Sequence, residues 1–212
     1  ALLLALAVSI PIGVLSAVRR NGWFDRVATA VAFMGVSVPN FWLGIMMIIL
    51  FSVTLGWLPS AGMGSATGSA VWLDRLKYLV MPAFVLGSSS MAQLTRYTRS
   101  SMIGVLREDY IRTARAKGVR PATVLTRHAL RNGLVPVITV VGVLLPRLFS
   151  GAAITESIFA WPGLGRLAVD AALQRDYPVI MALTLLVSVL VIVASLAVDL
   201  LYAVVDPRIR YD

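Results

Sequence analysis

VIMALTLLVSVLVIVASLAVDLLYAVV, residues 179–205, runs for twenty-seven residues with Asp199 as its sole charge. A hydrocarbon layer about 30 Å thick is crossed by about 20 apolar residues at about 1.5 Å each. A helix apolar on every face needs lipid or a large protein interior around it. This stretch therefore predicts a membrane span, and the chain around it repeats the pattern. Residues 133–155, GLVPVITVVGVLLPRLFSGAAIT, give a second strong span. A third covers 1–18 and stops at Arg19-Arg20; a fourth covers 27–55, where Pro39-Asn40 predicts a kink or break. The fifth, 79–95, is diluted by Ser88, Ser89, Ser90, Gln93 and Thr95. Polar and small residues at such depth face neighbouring helices or a wet cavity rather than lipid.

Composition agrees. Of 212 residues 58% are hydrophobic and 14% charged, with mean hydropathy +0.85. A soluble domain carries about 25% charged residues, so too little polar surface is present to cover a water-exposed globule. There is no cysteine, which excludes disulfides and thiolate metal sites, and His128 is the single histidine, which excludes a His-based metal pair or triad. The chain opens Ala-Leu-Leu-Leu without a basic segment ahead of the apolar run, the wrong polarity for a signal peptide. The expectation is a chain truncated at its N-terminus, starting inside a span.

The net charge of +9 invites a nucleic-acid reading, and its distribution answers it. With five spans, the connections alternate between two sets. Residues 19–26, 96–131 and 205–212 hold Arg19, Arg20, Arg26, Arg96, Arg99, Arg107, Arg112, Arg115, Lys117, Arg120, Arg127, Arg131, Arg208 and Arg210. Residues 52–78 and 156–178 hold Arg75, Lys77, Arg166 and Arg175. The basic set is cytoplasmic by the positive-inside rule. Residue 1 then starts outside and Asp212 ends inside, and membrane topology accounts for the charge without nucleic acid.

Residues 107–132, REDYIRTARAKGVRPATVLTRHALRN, are too long and too ordered for a plain connector. Glu108 and Asp109 suit a helix N-terminus, and Tyr110, Ile111 and Ala114 share one helical face. Gly118 suits a left-handed C-cap; Pro121 suits the first turn of a second helix, with Val124, Leu125, His128 and Ala129 on one stripe and a stop at Asn132-Gly133. The expectation is helix, glycine turn, helix. Ala114 and Ala116 beside Gly118 would let another protein's backbone come close. Residue physics alone leaves a second reading open, an amphipathic hairpin resting on anionic headgroups.

This segment resembles the EAA loop of binding-protein-dependent ABC importer permeases, Glu-Ala-Ala, three residues, Gly, nine residues, Ile-x-Leu-Pro. Counted from Gly118, the first triplet falls on Arg112, Thr113 and Ala114, and the last four positions on His128, Ala129, Leu130 and Arg131. Ala114, Gly118 and Leu130 keep the general pattern. The departures are similar to the dipeptide/oligopeptide/nickel branch: DYIRTARAKG, then RHALRN, then LVPV. Further branch-like stretches follow in family order, SVPNFWLG at 37–44, GWLPSAG at 56–62, ESIFAWPGLGRL at 156–167, RDYPV at 175–179 and DLLYAVVDPRIRY at 199–211.

The resemblance implies an all-α membrane protein of the type I importer permease fold, with five transmembrane helices where the family usually has six. It implies one permease domain over 1–212, with a coupling loop at 107–132 built from Arg112, Thr113, Ala114, Ala116, Lys117, Gly118, Val119 and Pro121. It further implies import of di- or oligopeptides, or of nickel complexes or glutathione, across the inner membrane of a bacterium or archaeon. The implied partners are a second homologous permease subunit, two ATP-binding subunits that hold ATP and Mg, and an extracytoplasmic binding protein. No Walker A loop is present in the sequence; the chain is expected to be no enzyme, with no cofactor or metal of its own. A secondary transporter or channel without an ATPase partner, and a scaffold, are the competing classes.

Arg147, beside Pro146 in the span 133–155, is a costly charge at membrane depth and a candidate pathway-lining residue with Ser89 and Gln93. Snorkelling outward or pairing with Glu156 is the alternative for Arg147. The segment 160–166, Ala-Trp-Pro-Gly-Leu-Gly-Arg, suits a turn anchored at the interface by Trp161, or one that closes the pathway or meets the binding protein. Asp199 and Asp206 suit pairing with cytoplasmic arginines or capping rather than a proton relay.

Overall fold

The computed structural model describes residues 1–64, 71–149 and 152–205, all helix and connection, with no strand among them. Side chains at 71–74, 145–149, 199 and 201–205 are outside that description. Thus the side chains of Arg147 and Asp199, and all of Asp206, Arg208 and Arg210, lie outside the described residues.

Helix α1 covers Leu2–Val18 and α2 covers Trp23–Ser37. The break expected near Pro39 is present. Val38 precedes a proline, which disfavours helical backbone; Pro39 takes ψ 135° and becomes the N-cap of α3, Asn40–Met47, which continues into a π-helical turn at Ile48–Thr54. Helix α4 runs over Val71–Val105, extending the expected 79–95 at both ends and passing through Pro82 without a break. The loop helices α5 (Asp109–Ala116) and α6 (Pro121–Thr123) follow, then a second π turn at Val124–Ala129 and α7 (Leu130–Gly133). Helices α8 (Val135–Phe149), α9 (Ala153–Ile158), α10 (Leu164–Gln174) and α11 (Tyr177–Val205) complete the order.

Among the described residues, Tyr177–Val198 of α11 is the one helix long and apolar enough to cross a membrane unaided, and α2 with α3 adds a second if the broken pair counts as one span. Leu2–Val18 and Val135–Leu144 are apolar but shorter. The count of five spans therefore rests on hydropathy and the arginine pattern.

The described residues form two compact units, one of residues 2–37, 88–143 and 205, the other of residues 1, 38–64, 71–87, 144–149 and 152–204. In the first, α1 lies close along α4 because it presents Ser9, Gly13, Ser16 and Ala17 as a buried small-residue face. A Cβ on Gly13 would stand 2.6 Å from Thr98 Cβ and 2.9 Å from the Thr95 carbonyl oxygen, so only glycine allows this approach. In the second unit, Phe159, Met81 and Val85 are fully buried, with Leu43, Met47, Ile48 and Phe51 packed around them. Along α11 the aliphatic side chains Leu185, Val189, Ile192, Val193, Leu196 and Leu200 remain exposed, as expected of a helix meant for lipid or a partner chain.

Candidate functional site

The segment 107–132 folds as helix, glycine turn and helix. Asp109 lies in the first turn of α5, where a carboxylate meets the positive end of the helix dipole. The helix ends in a Schellman motif: the Val119 N–H donates to the Ala114 carbonyl at 3.2 Å and the Gly118 N–H to the Arg115 carbonyl at 3.0 Å. Gly118 has φ +75°, which L residues rarely adopt, and the space where its Cβ would stand is open. Pro121 then starts α6 at the first helical position.

This hairpin has its own core. Ile111, Ala114, Val124 and Ala129 are buried with Ala17 of α1 and Met102 of α4, and Val119 and Leu125 pack against them. Gly133 closes the element: a Cβ there would meet the Met102 side chain, and Ser101 Oγ donates to the Gly133 carbonyl at 2.8 Å. Asn132 Nδ2 donates to the Tyr110 hydroxyl at 2.9 Å, joining the two ends of the hairpin. The stripe expected from sequence is present at Ile111, Ala114, Val124 and Ala129, whereas Tyr110 is exposed. Of the two small residues beside the turn, Ala114 faces this internal core and Ala116 faces outward. The outward surface is formed by Arg112, Thr113, Arg115, Ala116, Lys117, Gly118 and Pro121.

The same unit holds a bidentate ion pair that sequence reasoning missed. Asp25, in the first turn of α2, accepts from Arg99 Nε at 2.5 Å and Arg99 Nη2 at 2.7 Å, and from the Asn21 N–H at 2.9 Å. The Arg99 bond, then the Asn21 amide, hold the Asp25 carboxyl below its ordinary 3.8 against the opposing effect of burial; Asp25 in turn raises Arg99. The one available signal was that Asp25 is the lone acid in the basic connection 19–26. Next to the pair opens a groove lined by Thr29, Phe33, Gln93, Arg96, Tyr97 and Ser100, with Arg99 at its edge. Of the residues singled out as pathway-lining, Gln93 lies in this groove, and Ser89 is half-buried on the same helix without joining the lining.

In the other unit, Glu156 holds the turn 160–166. One carboxylate oxygen accepts from the Ala152 N–H at 3.0 Å and the other from the Arg166 N–H at 2.8 Å, at the N-terminus of α10. Cβ atoms on Gly163 and Gly165 would run into the Glu156 carboxylate and, for Gly165, the Ala153 backbone. The glycines of this turn thus make room for a carboxylate. Glu156 commits both oxygens to backbone amides; its expected alternative partner, Arg147, has its side chain outside the described residues. Trp161 is half-buried in this turn.

Comparison with known proteins agrees with the resemblance. Residues 9–211 match the family described as the binding-protein-dependent transport system inner membrane component. The oligopeptide transport system permease protein AppB of Bacillus subtilis (strain 168) is 53% identical over 209 residues, 99% of this chain and 66% of that protein. The dipeptide transport system permease protein DppB of Escherichia coli (strain K12) is 46% identical over 232 residues, 100% of this chain and 68% of that protein. The chain thus spans about two thirds of the length of these relatives. Among solved structures, a chain of the inward-facing MetNI methionine ABC transporter aligns with TM-score 0.69 at 19% identity, over 96% of this chain and 88% of that one, a likeness of fold. This all-α membrane protein has the ABC importer permease fold and belongs to the family of binding-protein-dependent transport system inner membrane components.

Proposed function

We propose that the chain is the permease subunit of an ATP-driven importer of di- and oligopeptides, and that residues 107–132 couple it to an ATPase subunit. The similarity to oligopeptide and dipeptide permeases over essentially the whole chain carries this reading. The hairpin supports the coupling role. Its inner residues share one core with α1 and α4, so a push on its outer face at Arg112, Ala116, Lys117 and Gly118 reaches both helices through Ala17 and Met102. Such a contact turns ATPase closure into movement of the spans, with ATP and Mg held by the partner subunits and no covalent step in this chain.

The assembly this implies pairs the chain with a second, homologous permease subunit, two ATP-binding subunits and an extracytoplasmic binding protein, in the inner membrane of a bacterium or archaeon. Residues 96–131 face the cytoplasm and 156–178 the outside. In proteoliposomes containing the co-expressed partners, uptake of a labelled dipeptide should require ATP inside and the binding protein outside. Uptake that ignores ATP would make the chain a secondary transporter, and ATP-driven uptake of a nickel complex or glutathione in place of peptide would correct the substrate. Single cysteines at exposed Ala116 and Gln174 test the orientation. An impermeant maleimide should label Gln174→Cys from outside intact cells and spare Ala116→Cys; the opposite pattern inverts the topology.

A further inference from the structure

We propose that a groove along α2 and α4 binds the phosphate headgroup of an anionic phospholipid of the inner leaflet, with Arg26 and Arg96 as its cations. Two concavities share Thr29, Phe33 and Arg99; one adds Arg96, Gln93, Tyr97 and Ser100, the other Asn21, Asp25 and Arg26. Within this lining, charges divide unequally. Asp25 takes up Arg99 in a bidentate pair, so that arginine is neutralised in place. Arg26 and Arg96 have no carboxylate partner among the described residues. The Arg96 guanidinium carbon lies 4.7 Å from the Phe33 ring centroid, a cation–π contact that holds this side chain over the groove. Gln93 and Ser100 add neutral donors alongside, while the Thr29 hydroxyl is taken up by Asp25.

A headgroup fits this site better than a soluble anion because of what borders it. The groove face of α2 is Arg26, Thr29, Ala30 and Phe33. The stripe one residue further round, Val27, Val31 and Met34, is exposed and apolar, suited to acyl chains. Trp23, exposed at the start of α2, and Tyr97 mark the depth at which aromatic side chains meet headgroups. Basic pockets between helices on the cytoplasmic side are the arrangement that holds anionic headgroups. The inference rests on the orientation proposed above, which puts this end of α2 and α4 at the cytoplasmic surface.

The test uses the whole transporter, with its partner subunits, in phosphatidylcholine nanodiscs carrying a trace of phosphatidylglycerol photoactivatable at the headgroup. Adducts should concentrate in the peptides spanning 21–33 and 93–100. They should fall roughly fivefold for each cation removed in Arg26→Gln and Arg96→Gln, while Arg96→Lys and the distant Arg131→Gln keep most of the signal. Adducts spread without preference, or unchanged in the double variant, would overturn the site. Competition by a dipeptide at import-saturating concentration would reassign the groove to substrate, and competition by millimolar inorganic phosphate would make it a site for a free anion; either overturns the lipid. If the variants do not assemble, the adduct map of the unaltered transporter decides alone. A transporter that imports peptide normally yet shows no localised adducts sinks this inference and leaves the importer reading standing.

Discussion

Asp25 and Arg99, 74 residues apart in sequence, meet in a two-point ion pair that ties the first turn of α2 to α4. The Asp25 side chain is 4% exposed and that of Arg99 29%. Removing either partner strands the other. Asp25→Asn or Arg99→Gln should each lower stability by about 2 kcal/mol in chemical or thermal unfolding, with strong coupling in the double-mutant cycle. The folded Asp25 carboxyl titrates below its ordinary 3.8. The contribution of the pair is therefore complete above that value and is lost as pH falls through the depressed one. The stability gap between the parent and Asp25→Asn should stay level from about pH 5 to 8 and narrow below about pH 4.

Gly118 carries φ +75° with open space where a side chain would go, so substitution there costs conformation and no clash. An αL residue other than glycine costs about 1–2 kcal/mol, with Asn the mildest. Gly118→Asn, Gly118→Ala and Gly118→Val should all reach the membrane. Substrate-stimulated ATP hydrolysis should decline in that order. Equal, parent-like activity of all three would reduce the turn to a surface hairpin without a coupling role.

Gly13 and Gly104 make an opposed pair. A Cβ at Gly13 collides with Thr98 and the Thr95 carbonyl, whereas nothing lies within 4 Å of one at Gly104. Gly13→Ala should destabilise by about 1–3 kcal/mol through overpacking. Gly104→Ala, in the last turns of α4, should instead stabilise by about 0.5–1 kcal/mol through backbone entropy. Melting temperatures of the two purified variants check both signs.

Glu156→Ala leaves the Ala152 and Arg166 amides without their acceptor and should cost about 2 kcal/mol or more. Glu156→Gln, keeping one acceptor, should fall between. Gly163→Ala presses on the same carboxylate, so its penalty should shrink in the Glu156→Ala background, which a double-mutant cycle would reveal.

The loop was legible because its instructions are local. Asp109 at a helix start, Gly118 at its end and Pro121 at the next start each act within one turn, and all three stand where the pattern puts them. The break at Pro39 was legible for the same reason. What escaped is non-local. Nothing in the run 19–26 says that Asp25 turns towards Arg99, and a polar residue such as Gln93 dilutes the hydropathy of a helix that continues to Val105 without regard to it. Glu156 escaped because its partners are backbone amides, which no side-chain pattern announces. Ala114 shares with Ile111 the helical face read from the sequence, and that face turns inward while Ala116 stays exposed.

The π turn at Val124–Ala129 makes the length of this hairpin a setting in its own right. Its amides reach back five residues instead of four, as Leu130 N–H does to the Leu125 carbonyl, so it holds one residue more than an α-helix would between the same bonds. Deleting a single residue there should let the ladder close as ordinary α-helix while Leu130–Gly133 keeps its rotation and Gly133 stays on Met102. The spare residue is a length tolerance: the hairpin can lose one position in this turn without rotating the helices on either side. A deletion in a regular stretch of α-helix, where no residue is spare, would instead rotate everything beyond it by about 100°.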